Sequence, residues 1–446
     1  MRIRLSPVHS PVMATVMSIR DAATWEVATA ISVDPPAFQE LADRFRPIFK
    51  RIAEGAVQRE AGRELPFEAI GWLREAGFGA IRIPKAHGGL GASLPQFFRL
   101  LVELSEADSN VAHALRGHFA FLEERLNRRE PHAFDFWFPK VTQGALIGFA
   151  MSERIEETGN STKLEPNDGD WVLDGLKFYS TGTLYADWIV ASAVDGEDFV
   201  GVALASDAPG VTRVDDWDGF GQRLTGSGTT KFDRVPISSD RILHRHSPGQ
   251  KRDDSYYLAF LQLVLLATLA GIGRAAVRDV VAFVQGRTRG FGIPGKSSPR
   301  TDPLVQRVVG RVSSLSFAAE TLVDGIAGTL EELHQAHLAG AVEPGRYVEA
   351  NIKTFQAQQL VIDLVLQATT ALFEVGGASA TSERLRLDRH WRNARTVSCH
   401  NPAIYRERAI GDYLLNGTIP ETRWTAVRQN QAGAGGDAVP PEAPIP

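Results

Sequence analysis

The sequence predicts an α+β, mainly α protein in which a small β-barrel-like domain is inserted between an N-terminal helical domain and a C-terminal helical bundle. Three observations carry this prediction. Apolar residues recur at spacings of three and four from Ala37 to Lys140; short runs rich in β-branched and aromatic residues, separated by Asn, Asp and Gly turns, fill about Ala145 to Leu243; and the helical period returns from Ser255 to Leu415. This order excludes a Rossmann domain, which needs strands alternating with helices.

Residues 1–36 have no sustained period and end at Pro35 and Pro36, so they read as a flexible leader. Pro7 and Pro11 interrupt them before any apolar run of signal-peptide length, and export is not expected. In the N-terminal helical domain, 37–144, the spacing of Phe38, Leu41, Phe45, Ile48 and Ile52 predicts a first helix. Pro66 opens a second, with Ile70, Leu73 and Ala76 on one face and Gly77 at its end; the turn from His87 to Gly91 leads into a third, through Leu104. The middle β domain, 145–245, contains WVLDGLKFYS, DWIVASAV, FVGVALA and TKFDRVPI as strand candidates. The C-terminal helical domain, 250–429, has helical period over 255–289, 302–339 and 344–375. The tail, 430–446, has too few apolar groups to offset its ordering entropy and is expected to be disordered.

Composition narrows the function. The chain has 446 residues, 43% of them hydrophobic, and a net charge of -5, with no Lys/Arg run long enough to track a phosphate backbone, so a small-molecule ligand is expected rather than nucleic acid or an anionic membrane. The longest apolar stretch, Tyr256 to Ile272, continues into Arg274 and Arg278 and reads as a buried core helix, not a membrane span. Cys399 is the single cysteine, which forbids an intramolecular disulfide and suits a reducing cytoplasm. GFGIPG fits G-x-G-x-x-G at Gly290, Gly292 and Gly295, but it follows a helix and carries Pro294, so a mobile loop is expected there rather than a nucleotide site. His334 and His337 lack a carboxylate partner for a metal set, and no metal is expected.

Several segments together resemble the acyl-CoA dehydrogenase superfamily over about Ala37 to Gly417. These are LPFEAIGWLREAGFGAIRIPKAHGGLGAS, AMSERIEETGNS, DGLKFYSTGT, GFGQRLTGSGTTKFDRVPI, and the run W-R-N-A-R after Gly376 and Gly377. In the dehydrogenases the last run continues into an aromatic residue and a catalytic Glu; here those positions are His400 and Asn401. An Asn amide has no useful basicity and cannot abstract the α-proton of an acyl thioester. Some relatives carry the base on the first helix of the C-terminal domain, yet 256–278 contains no Asp or Glu.

Within the superfamily the chain is similar to the monooxygenases that use reduced FMN from a separate reductase, the group containing dibenzothiophene monooxygenase and its sulfur-acquisition relatives. The narrower match rests on the Gly117, His118 pair, the S-T-G turn at Ser180 to Gly182, and R-N-A-R-T-x-x-x-H ending at His400. Val397 stands where dibenzothiophene monooxygenase has a second His, so that substrate does not carry over.

The resemblance implies a C4a-hydroperoxyflavin that transfers one oxygen atom to sulfur, nitrogen or an aromatic carbon. It also implies O2 as co-substrate, an NAD(P)H:flavin reductase as partner, and a homotetramer. His118 and His400 are the catalytic candidates, as hydrogen-bonding groups that titrate near neutral pH; His113, on a different helix face, reads as structural. Thr181 and Ser180 are expected at the flavin ring, with Ser152 at its pyrimidine side and Tyr179 beside it. Arg287 and Arg289 are expected at the phosphate, and Asn401, Val397 and Cys399 in the substrate pocket. Two alternatives stay open: an acyl-CoA dehydrogenase that binds FAD and has a displaced base, and a non-catalytic flavin-binding scaffold.

Overall fold

The computed structural model describes residues 35–128, 133–154, 162–248, 250, 255–288 and 298–420. Arg289, the glycines at 290, 292 and 295, the leader up to residue 34 and the tail lie outside the described residues. The N-terminal helices are α1 (Pro35–Gly62), α2 (Phe67–Glu75), α3 (Leu94–Ala107), α4 (Ser109–Ala114), α5 (Arg116–Arg128) and α6 (Phe138–Thr142). Local chemistry sets their ends. The Ser93 hydroxyl accepts from Gln96 N, the Gln96 side chain accepts from Ser93 N, and Pro95 fits the first turn, so α3 starts on a reciprocal cap. Asp108 breaks the helix and recaps it, accepting from Asn110 N, which turns the chain into α4.

Eight strands follow: β1 (Ile147–Ala150), β2 (Lys163–Asn167), β3 (Asp170–Lys177), β4 (Trp188–Asp195), β5 (Asp198–Ala205), β6 (Val211–Val214), β7 (Thr229–Ile237) and β8 (Ile242–His246). They form one sheet in the order β6-β7-β3-β2-β4-β5-β8, with β1 parallel to β4. Every strand expected from the sequence lies in it. The alternation along β7 buries Thr230, Phe232, Val235 and Ile237 and leaves Lys231 and Asp233 outside.

The C-terminal helices are α7 (Tyr257–Gln285), α8 (Pro303–Leu338), α9 (Arg346–Ala371), α10 (Asp388–Ser398) and α11 (Ala403–Asn416). Helix α7 is long and apolar enough to cross a membrane, but 83% of its most apolar window is buried inside the protein. It is the central post. Phe97, Leu101 and Leu104 of α3 join Phe260, Leu263 and Leu266 of α7, Val323 and Leu330 of α8 and Val361 and Val365 of α9 in one hydrophobic cluster. The two helical halves, separate in sequence, therefore share a core, because α7 is apolar on too many faces to be covered from one side.

Helix α10, which carries the W-R-N-A-R run, has a highly charged surface and is fixed by ion pairs. Asp279 on α7 accepts from Arg389 at 2.5 Å and from His390 at 2.8 Å, and Arg392 reaches Glu60 of α1 at 2.7 Å. On α10, Arg389, His390 and Arg392 are anchors between helices.

Candidate functional site

The S-T-G turn, α4, the loop from Asp215 to Gly228, the start of α7 and the end of α10 converge on one cleft. Gly182 is the hinge of this meeting. Its φ is +81°, and a Cβ there would stand 2.3 Å from Ala114 O, so only glycine lets the turn abut the end of α4. Thr181 is thereby brought beside α4, and its hydroxyl lies 2.8 Å from Ser227 Oγ.

Hydrogen bonds tie Thr181 to the backbone of Gln222, whose side chain in turn holds a histidine. Ser227 Oγ is 2.7 Å from Thr225 Oγ1, which donates to Gln222 O at 3.0 Å. The Gln222 amide donates to Ser109 Oγ at 3.0 Å, so its Oε1 accepts from His113 Nδ1 at 3.1 Å. That pairing places the His113 proton on Nδ1 and leaves Nε2 as a bare lone pair, buried and without a protein partner. The His400 ring centroid lies 5.7 Å from that of His113. Asn393 of α10 steadies the loop by accepting from Gln222 N at 2.6 Å.

Electrostatics keep both imidazoles neutral at pH 7. Burial, then the nearby Arg116, lowers His113 to about 4. His400 keeps surface open to the cleft, yet enough protein surrounds the ring that burial, Arg116 and His113 hold it well below the usual value. The pair thus offers hydrogen-bonding nitrogens rather than cations.

His118 is a correction. It is fully buried; its Nε2 donates to Gly79 O at 2.8 Å, and its Nδ1 accepts from Ile147 N at 3.2 Å. Both nitrogens are consumed in stapling α5 to β1, so none is left for chemistry. His113, read from sequence as structural, holds the place beside His400 instead. Burial also lowers His118 to about 4. Since its unfolded value is about 6.5, the unfolded chain takes the proton first as pH falls. Its contribution is therefore complete above about 6.5, and acidification to about 4 should cost roughly 3 kcal/mol through this residue alone. Urea midpoints at pH 7 and 4.5 should separate more for the wild type than for His118→Gln; equal separations would dismiss the staple.

The other expected contacts divide. Thr181 and Ser152 are half-buried at the turn, and Tyr179 is 46% exposed at φ +57°, its hydroxyl accepting from Arg154 at 2.7 Å and its ring 5.8 Å from Trp217. Their partly open hydroxyls and rings fit the edge of a flat heteroaromatic ring. Ser180 does not share that surface. It is buried beneath the turn with Oγ unpartnered, so the direct ring contact expected of it is corrected to a place under Thr181.

Arg287 is likewise displaced. It lies past the C-terminal end of α7, donating to Val375 O at 3.4 Å, whereas the cleft lies at Leu261 and Gln262, about 36 Å away by helical rise. No cofactor of FMN size touches both ends within one chain. Val397 is buried in the shared helical core rather than in a pocket wall, because it lies on the inward face of α10. Cys399 caps α10 and is exposed.

Asn401 donates to Gln262 Oε1 at 2.8 Å. The two segments in which a carboxylate base could stand thus meet in a pair of amides, and neither can accept a proton. A small recess lined by Asp108, Asn110, Arg278, His390 and Asn393 among others measures about 20 Å³ and has room for one water.

The fold and the sequence match those of known proteins. The acyl-CoA dehydrogenase N-terminal domain pattern matches residues 36–128, and the acyl-CoA dehydrogenase C-terminal domain pattern matches 263–403. The probable FMNH2-dependent monooxygenase SfnC of Pseudomonas putida is 28% identical over 380 residues, 84% of this chain and 94% of its own length. A dibenzothiophene monooxygenase of Rhodococcus qingshengii is 26% identical over 372 residues, 79% of this chain and 88% of that protein. The crystal structure of FMN-bound TdsC from Paenibacillus sp. A11-2 superposes with a TM-score of 0.78 at 26% identity, over 87% of this chain and 100% of that one.

Proposed function

The chain belongs to the acyl-CoA dehydrogenase superfamily, whose two domain patterns together span more than half of it, and from that premise we propose that it is a two-component, FMN-dependent monooxygenase. It takes reduced FMN from a separate NAD(P)H:flavin reductase. One atom of O2 enters a small organic substrate at sulfur, nitrogen or an aromatic carbon; the other leaves as water, with the two electrons and two protons carried by reduced FMN.

The observation that supports this reading best is the buried, unpartnered Nε2 of His113 in a ring 5.7 Å from that of His400 and held by Gln222 beside the Thr181 turn. Reduced FMN, when bound, supplies the electron pair that activates oxygen. Thr181, Ser152 and Tyr179 would hold its ring. Gln222 fixes the His113 tautomer, so Nε2 can accept a proton or a hydrogen bond without first losing one. His400 offers a second neutral nitrogen. The Asn401–Gln262 pair disfavours the dehydrogenase alternative, which requires a base.

The assembly in this reading is a homotetramer. Leu304 and Phe317 on α8, Leu360 on α9, and Ile404, Tyr405 and Leu414 on α11 are exposed apolar residues suited to contact with other copies. In such an assembly Arg287 of one copy would be a candidate to hold the phosphate of FMN bound by another. The protein works in the cytoplasm, where Cys399 stays reduced and NAD(P)H is at hand.

Three measurements test the reading. Reduced FMN mixed with oxygen should regain its oxidised absorbance later in the presence of the protein than when free, and reduced FMN should bind more tightly than reduced FAD. Under anaerobic conditions no acyl-CoA should bleach the bound flavin. Bleaching, or a preference for reduced FAD, would return the chain to the dehydrogenases.

A further inference from the structure

Arg116 stands half-buried at the head of α5, in the same cleft, and its Nε donates to Leu261 O at 3.3 Å. Among the described residues no Asp or Glu oxygen lies within 4 Å of its guanidinium. Several other buried or half-buried arginines are matched: Arg59 holds Asp108, Arg82 holds Glu123, Arg274 holds Glu106 and Arg389 holds Asp279, all at 3.0 Å or less. Arg213, Arg223, Arg386 and Arg406 are, like Arg116, half-buried without an ion pair among the described residues, but only Arg116 stands close enough to His113 and His400 to lower both. A guanidinium withdrawn from water without a counter-ion is costly, and the cost is offset when an anion arrives.

We propose that Arg116 is the receptor for an oxyanion on the substrate, so that this protein acts on small organic acids bearing a carboxylate, sulfinate or sulfonate. With Nε committed to Leu261, the two terminal nitrogens remain for a planar or tetrahedral acid group, a pairing that fits the guanidinium fork. Leu261 adjoins Gln262, which holds Asn401, the neighbour of His400; Arg116 therefore sits at the histidine end of the cleft. An acid held there presents the atom next to its charged head to the pair. The FMN phosphate is a poor competitor, since a ring resting on Thr181 beside His113 places its phosphate at the far end of the ribityl chain. Two neutral imidazoles and one fixed cation leave this end of the cleft positive. Burial lowers Arg116 to about 10, with Tyr257 acting in the opposite direction, and it stays charged at neutral pH.

What becomes of the bound acid rests on the monooxygenase reading; its binding does not. Titration calorimetry on the full chain loaded with oxidised FMN, which cannot turn over, uses benzoate, benzenesulfinate and methanesulfonate as probes and benzamide as the neutral match. At least one acid should bind more tightly than benzamide. Arg116→Gln should weaken that acid about tenfold to a hundredfold, and Arg116→Lys, which keeps the charge but not the fork, by less. Acids binding no better than benzamide, or unchanged by Arg116→Gln, would overturn the assignment. So would an equal loss of FMN affinity in that variant, which would give the guanidinium to the flavin. Should Arg116→Gln not fold, the wild-type contrast between acids and benzamide decides. Acid binding without any effect on flavin reoxidation would leave the anion site standing and the oxygenase reading fallen; delayed reoxidation without acid binding would leave an oxygenase of neutral substrates.

Discussion

Replacing His113 or His400 with alanine is expected to raise the rate at which oxygen is released as free peroxide about tenfold to a hundredfold, since a hydrogen bond to a charged or strongly polar partner contributes roughly 1.5–3 kcal/mol. Affinity for reduced FMN should change little, because Thr181, Ser152 and Tyr179 remain in place. The effect of His113 should be the larger of the two. Its Nε2 is buried and held in one tautomer by Gln222, whereas His400 lies at a helix end, open to the cleft. His118→Ala is the control: it removes a staple to Gly79 and Ile147 and should lower stability without changing the fraction of oxygen released as peroxide, in whatever protein remains folded. Peroxide formed per NADH consumed, with a flavin reductase supplying reduced FMN, reads the outcome. Unchanged coupling in both His113→Ala and His400→Ala would remove the pair from the chemistry.

Asp279→Ala should cost about 3–5 kcal/mol of folding stability, the range for breaking a buried ion pair from one side. The carboxylate binds Arg389, His390 and Arg278 together, and these partners hold it well below the usual carboxylate range against the opposing effect of burial. Removing it strands the Arg389 guanidinium, itself 7% exposed. Because Asn393 on the same helix holds Gln222, the loss should also loosen His113 and raise peroxide release in the folded fraction. A denaturant midpoint like that of the wild type would mean that α10 is held by its apolar face alone.

The sequence by itself determined the α-β-α order, because periods of 3.6 and 2 are local properties that survive any packing. It also determined what chemistry was missing: Asn401 is not a base in any fold, and 256–278 is free of acids in any fold. The turn at Ser180 to Gly182 was legible for a similar reason, since a glycine among hydroxyl residues marks a tight approach of backbone.

Tertiary structure decided which groups face one another. His113 and His118 lie five residues apart on either side of a break between α4 and α5, and period alone does not say which faces the cleft. Packing does. A Cβ at Gly117 would come within 3.0 Å of Phe149 Cγ, so the glycine lets α5 close on β1; that contact commits His118 to Gly79 and Ile147 and leaves His113 facing Gln222. The same distinction separates Val397, turned into the shared core, from His400 three residues on, and Arg287 from the cleft that its own chain builds. Identity sets what a side chain can do; its direction depends on contacts between segments a hundred or more residues apart, such as Gln222 with His113 and Asn401 with Gln262, and no local pattern encodes them.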